Sequence, residues 1–118
     1  MDILQRRADD QAAARLAADV ASYALNVPVE AILGARRGAP PTTFARQVAF
    51  YLCHVGFELS IARVAAAFGR NASTVAYACH AMEDRREEAQ FDLWIGELET
   101  MLRQAPRPER RSAPESAP

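Results

Sequence analysis

Residues 59–82 read LSIARVAAAFGRNASTVAYACHAM, and this stretch decides the fold. Ile61, Val64, Ala65 and Phe68 fall at the one-faced spacing of a short amphipathic helix, which Ser60 can cap. Gly69 then supplies a residue that takes positive φ without a steric penalty, as a tight helix exit requires. A second helix opens with Asn71 or Ser73 as its cap and continues with Val75, Cys79 and Met82 on one face. Two short helices joined by a glycine turn make a helix-turn-helix. The outer face of the second helix begins with Arg70, Asn71, Ser73 and Thr74. Short donors and acceptors flanked by arginine suit insertion into a DNA major groove. The same pattern also fits an ordinary helical hairpin in a small all-helical domain, and by itself it does not separate the two.

Outward from the hairpin the chain reads as helix throughout, with no β-pattern and no internal repeat. Leu16, Val20, Tyr23 and Val27 form an apolar stripe on a first helix from about Gln11 to Leu25, broken by Asn26-Val27-Pro28. Val29, Ile32 and Leu33 predict a short second helix ending at Gly34. The basic, proline-stiffened loop from Ala35 to Pro41 follows. Thr42 or Thr43 is expected to cap a third helix, with Phe44, Val48, Tyr51, Leu52 and Val55 inward and Gly56 at its end. After the hairpin, Glu83 to Glu88 reads as a solvated helical surface, and Phe91, Trp94, Ile95, Leu98 and Leu102 line a final helix. The expected organisation is an extension over 1–10, one helical domain over 11–104, and a disordered Pro/Arg tail over 105–118 that holds four of the seven prolines.

Half of the 118 residues are apolar, enough for a real core, and the net charge is only −1. The distribution is more informative. Residues 32–79 carry five arginines and one acid, whereas residues 81–103 carry three arginines and seven acids. A basic block coincident with the hairpin fits a docking face for DNA, set against an acidic back. All fourteen basic residues are arginine, which suits bidentate phosphate and guanine contacts but reads mainly as nucleotide bias. No apolar run reaches the roughly 18 residues of a membrane span, and the opening MDILQRRADD does not read as a signal peptide. A cytoplasmic location, on the bacterial nucleoid, is the expectation.

Catalytic and metal chemistry find little support. Cys53-His54 and Cys79-His80 could be drawn as a zinc site, but adjacent residues on a helix point about 100° apart and each pair converges poorly. Core packing is the better reading for both cysteines, with His54 and His80 at the surface or a groove edge. No nucleophile elbow, paired-carboxylate pocket or redox C-x-x-C is present, so the chain is expected to be neither an enzyme nor a cofactor carrier.

The order of these pieces resembles the C-terminal DNA-binding domain, domain IV, of the bacterial replication initiator DnaA. VASYALNVPVEAILGARRG, from Val20, looks like the family's opening helix, short second helix and basic loop. FARQVAFYL, from Phe44, resembles its P-R-Q-x-A-M-Y-L, and LSIARVAAAFGRNASTVAYAC resembles its S-L-x-x-I-G-x-x-F-G-G-R-D-H-T-T-V-x-x-A-C. The resemblance implies an all-α fold: a compact domain of about five to six helices containing a helix-turn-helix, of the Trp-repressor-like kind. Carried over residue by residue, it implies that Arg46 lies against the DNA backbone and that Arg70 opens the recognition turn. Asn71, Ala72, Ser73 and Thr74 fall at the family's major-groove readers, with Tyr77 on the same helix. Arg36 and Arg37 fall, after a one-residue shift, in the loop that reaches toward the minor groove. Ile61 and Ala62 match the start of the first hairpin helix near the DNA.

The departures matter. Asn71 stands where the family has aspartate, Ala72 where it has histidine, and the turn is one glycine shorter. An aspartate only accepts and pairs with the cytosine amino group, whereas an asparagine donates and accepts, which suits adenine. Only some nineteen residues precede the match, with no G-x-x-x-x-G-K-[ST] loop, so no bound nucleotide is expected. The resemblance therefore implies a transcription regulator that binds specific double-stranded DNA. Similar stand-alone domains among regulators of phage-like and gene-transfer-agent genes point to an activator, whose protein contact would be RNA polymerase or a partner regulator. A replication modulator competing for DnaA sites and a protein-interaction module without DNA binding are the alternatives.

Overall fold

In a computed structural model described over residues 2–105, the chain forms six helices and, among those residues, no strand. They are α1 (Ile3–Leu25), α2 (Val29–Leu33), α3 (Pro40–Gly56), α4 (Ile61–Phe68), α5 (Ala72–Arg85) and α6 (Ala89–Gln104). The expected all-α fold with a helix-turn-helix is what the chain adopts. No helix among the described residues is long and apolar enough to cross a membrane.

The third helix is the hub. Pro40 and Pro41 occupy its first turn, where a missing N–H costs nothing because that donor has no intrahelical partner. Ala39 is its N-cap, earlier than the expected Thr42 or Thr43; the Thr43 hydroxyl instead donates to the Arg37 carbonyl at 3.3 Å. Ala45, Val48, Ala49, Phe50, Tyr51, Leu52 and Cys53 are all buried, so α3 has almost no solvent face along its middle. The other five helices pack on it. Val55, expected inward, is 37 % exposed because it lies in the last turn, beyond that girdle.

The first helix packs most extensively on α3, and it does so through alanine. Its buried face is Ala13, Ala14, Ala17, Ala18, Val20 and Ala21. The apolar stripe expected there holds only in part: Val20 and Val27 are buried and Leu16 is partly buried, but Tyr23 is 79 % exposed. Small side chains allow two helix backbones to approach closely, and a tyrosine on that face would hold them apart. The helix also begins at Ile3 rather than near Gln11, with Asp2 accepting from the Leu4 amide as its cap. Asp10 explains part of that extension. It is 7 % exposed and takes two hydrogen bonds from Arg63 of α4, at 2.7 and 2.9 Å. At its other end α1 stops at Asn26, in the left-handed conformation, whose N–H reaches the Ser22 carbonyl at 2.8 Å.

The run from Glu83 to Glu88 is not the plain solvated surface expected of it. Arg86 bonds Asp92 at 2.6 Å, Glu99 at 2.8 Å and the Tyr51 hydroxyl at 3.1 Å, while that hydroxyl donates to Glu83 at 2.7 Å. Arg85 lies 4.2 Å from the centre of the Phe91 ring. The α5–α6 turn is thus fastened to α3 and to α6. Phe91, Ile95, Leu98 and Leu102 of α6 are buried as expected, with Trp94 partly buried against Phe44. The expected disordered tail lies, from residue 106 onward, outside the described residues.

Cys53 and Cys79 are free and buried, and burial pushes their thiols up from 9.0 to about 12 and about 11. Tyr51, likewise raised to about 12, is shifted first by burial, with Glu83 adding to the rise and Arg86 opposing it. In each case the unfolded chain releases its proton at lower pH than the folded one. Stability is therefore full below about pH 9 and falls as pH rises beyond it, by up to about 1.4 kcal/mol per pH unit for each group. Urea unfolding at about pH 10 should give a lower free energy than at about pH 7, and Cys53→Ala with Cys79→Ala should flatten the decline. A stability unchanged across that range would contradict the buried, protonated thiols.

Candidate nucleic-acid interface

The hairpin is built from the caps inward. The Ser60 hydroxyl accepts from the Arg63 amide at 3.2 Å and starts α4. Gly69 ends it at φ 68°, with its N–H on Ala66 O at 3.2 Å and the Arg70 N–H on Ala65 O at 2.9 Å. That pair of bonds is a Schellman closure. A Cβ on Gly69 would meet nothing within 4 Å, so the glycine serves the backbone angle and not a close contact. Phe68 then locks α4 to α3 through an edge-on contact with Phe50, ring centres 5.0 Å apart.

The second hairpin helix has one anchored and one open face. Val75, Ala78, Cys79 and Met82 are buried, whereas Ala72, Ser73, Thr74 and Tyr77 are exposed. Asn71 is the N-cap by backbone position, but its side chain makes no cap hydrogen bond. Its amide is left free at the point where α5 meets solvent. Ile61 is partly buried and Ala62 exposed at the start of α4.

Beside this helix runs the basic loop, residues 34–39. Arg36 and Arg37 are exposed, and Gly38 takes φ 77°. A cleft of about 410 Å³ separates loop from helix, lined among others by Arg37, Gln47, Arg70, Thr74 and Tyr77. Arg37, Arg70, Thr74 and Tyr77 thus face one cleft, with Arg36 exposed beside Arg37 on the loop and Asn71, Ala72 and Ser73 exposed beside Thr74 at the start of α5.

Two of the five arginines in the basic block do not reach that surface freely, and a third, Arg70, is half-buried with Nη2 donating to the Gly34 carbonyl. Arg63 is paired with Asp10, which cancels its charge and points it to α1. Arg46, expected against a DNA backbone, is 7 % exposed, and its guanidinium donates to carbonyl oxygens of Ala31, Ile32, Arg36 and Arg37. Charge counting along the chain does not reveal either fate, because both partners lie far off in sequence or in the backbone. His54 is likewise engaged, with Nδ1 donating to the Leu59 carbonyl at 2.6 Å, while His80 is exposed. Among the described residues, no three His, Cys, Asp or Glu side chains gather as a metal site would need.

The comparisons with known proteins meet this geometry. Comparison with curated proteins gives no significant match. A crystal structure described as a DNA replication initiation factor superposes with a TM-score of 0.74 at 25% sequence identity. The match covers 86% of this chain and 31% of that one, so the chain spans about a third of that protein's length. A family model described as the bacterial dnaA protein helix-turn-helix matches residues 15–82, from the middle of α1 to the buried half of α5, and so takes in the loop, the hairpin and the helices that hold them. With more than half of its length inside that match, the chain belongs to the bacterial DnaA helix-turn-helix family, a family of DNA-binding domains.

Proposed function

We propose that this protein is a sequence-specific double-stranded-DNA-binding transcription regulator, acting as an activator at its target genes. The observation that carries the reading is the open first turn of α5. Asn71, Ala72, Ser73 and Thr74 have no internal work for their side chains, yet Val75 and Ala78 beside them hold the helix rigidly to the core. Rigidly held, unengaged polar groups at a helix start are what reading base edges in the major groove requires. Arg36 and Arg37, on the adjoining loop, supply charge for the backbone or the minor groove. Ile61, Ala62 and Tyr77 flank the reading turn.

One observation favours a second reading, a modulator of replication initiation that competes for initiator sites: the solved structure matched by this fold is described as a DNA replication initiation factor. Genome-wide mapping of bound DNA separates the two. Enrichment at promoters supports regulation of transcription, and enrichment at the replication origin supports the rival.

Binding should be salt-sensitive, but less so than five clustered arginines would suggest. With Arg63 neutralised by Asp10 and Arg46 buried, Arg36, Arg37 and Arg70 remain to meet phosphates. The slope of log affinity against log salt should therefore be near −3, at about −0.9 per contact. Arg36→Ala and Arg37→Ala should each make it shallower by about 1 and weaken binding on all sequences alike. A fluorescence titration across salt concentrations measures both, and an unchanged slope in both variants would remove the loop from the interface.

Specificity should follow Asn71 and Ala72. The wild-type protein should bind a DnaA-type site weakly and a different site tightly, each altered base preference being worth about 1–3 kcal/mol. Asn71→Asp combined with Ala72→His restores an acceptor-only group and a ring donor, and should move preference toward the DnaA-type site. Binding arrays on the two proteins decide it; identical preferences would mean that these positions do not read bases.

A further inference from the structure

The basic loop has nothing of its own to hold it. Residues 34–39 read GARRGA, two glycines and two alanines around the two arginines, and from Ala35 onward all are exposed. No side chain of the loop packs into the core. Yet its backbone is captured from outside at three carbonyls, those of Gly34, Arg36 and Arg37. Arg46 of α3 reaches up from beneath: Nε donates to Ile32 O at 2.8 Å, Nη2 to Ala31 O at 2.7 Å and Arg36 O at 2.9 Å, and Nη1 to Arg37 O at 3.1 Å. Thr43 adds a second bond to Arg37 O. From the other side Arg70, the first residue of the recognition turn, donates through Nη2 to Gly34 O.

We propose that Arg46 is a positioning residue whose planar fork, and not its charge, serves DNA binding by fixing the basic loop, with Arg70 tying that loop to the recognition turn. This rests on the reading of the loop and α5 as one DNA-binding surface, and refines it. The geometry is specific to guanidinium. Five carbonyls, those of Ala31, Ile32, Gly34, Arg36 and Arg37, are met by donors on three nitrogens of fixed direction, which an ammonium point charge cannot provide. Among the described residues every hydrogen-bond partner of Arg46 is a carbonyl oxygen and none is a carboxylate, so the side chain is not there to neutralise an acid. At 7 % exposure it is also not there to touch a phosphate. The carbonyls of α2's last turn, otherwise unsatisfied at a helix C-terminus, are among those it captures, so the same group ends α2 and shapes the loop. Loop and recognition helix then stand at a fixed separation before DNA arrives.

Trypsin supplies the test, because it cuts after arginine and two arginines lie in the loop. In the free protein, Arg46→Lys and Arg46→Gln should both be cut after Arg36 or Arg37 at least about tenfold faster than wild type, since cleavage follows the population of the opened loop. Affinity for the specific duplex should fall by similar factors in both, with lysine giving no rescue despite its charge. Arg70→Gln, at a position outside the core, should raise loop cleavage in the same direction and covers the case in which the Arg46 variants do not fold. Wild-type cleavage rates in the folded Arg46 variants, or in Arg70→Gln should those not fold, would overturn the proposal, as would full rescue of affinity by Arg46→Lys. Failure of the wild-type protein to bind any duplex would sink the DNA-binding reading instead, and the cleavage result would still stand.

Discussion

The burial of α3 is the constraint on which the rest of the molecule depends. A helix surrounded by five others must offer apolar or small side chains on nearly every face, and from Ala45 to Cys53 it offers only Arg46 and Gln47 as exceptions. Alanine on the facing side of α1 is the counterpart of that burial. Methyl groups fill the narrow α1–α3 interface, so the larger side chains of α3, Phe50 and Tyr51 above all, are free to meet α4 and the α5–α6 turn. The hairpin is held from outside as well as by its own two helices: α5 packs chiefly on α3, and α4 on α1 and α5, with Phe68 reaching Phe50 of α3. An eight-residue helix such as α4 is too short to persist alone in water, and its stability comes from burying Val64, Ala65 and Phe68 against its neighbours.

Much of this was legible in the sequence, and the reasons differ by element. The hairpin was readable because its signals are local: Ser60 as a cap, Gly69 at positive φ, and an apolar face whose period is 3.6. The final helix was readable from Phe91, Ile95, Leu98 and Leu102 for the same reason. The first helix was located but misread. A 3.6-residue period of large apolar side chains points to Tyr23, whereas the packing is done by alanines, which carry no such signal. Its true start at Ile3 was invisible because Asp10 is held by Arg63, 53 positions away, and no periodicity encodes that pairing. The run from Glu83 to Glu88 looked like surface because Arg86's partners, Tyr51 and Glu99, lie on other helices.

The interface shows the same division. The reading turn was legible, since helix starts announce themselves and exposed polar residues there follow from the burial of Val75 and Ala78. The electrostatics were only half legible. Five arginines in a block suggest a broad basic face, but a buried carboxylate removes one and a ring of carbonyls removes another. What a sequence count cannot distinguish is a guanidinium used as a charge from one used as a set of directed donors. Desolvation, and after it the charge of Arg70, holds Arg46 below its ordinary pKa. Even so, a guanidinium stays protonated at any pH a folded protein meets, so all its donors remain available.

On the proposed reading, Asn71 brings stability and function into opposition at one side chain. Asparagine is among the best N-cap residues, and a bond from its side chain to the first-turn amides of α5 would contribute about 0.5–2 kcal/mol. The backbone places it at the N-cap, yet that bond is not made. The core can bear the loss because α5 is anchored elsewhere, through Val75, Ala78, Cys79 and Met82. An amide committed to its own helix would offer fewer donors and acceptors to a base edge, whereas an uncommitted one can still donate and accept together. On the proposed reading, the turn offered to DNA keeps its polar groups for a partner, and the buried face of α5 on α3 is what makes the forgone cap tolerable.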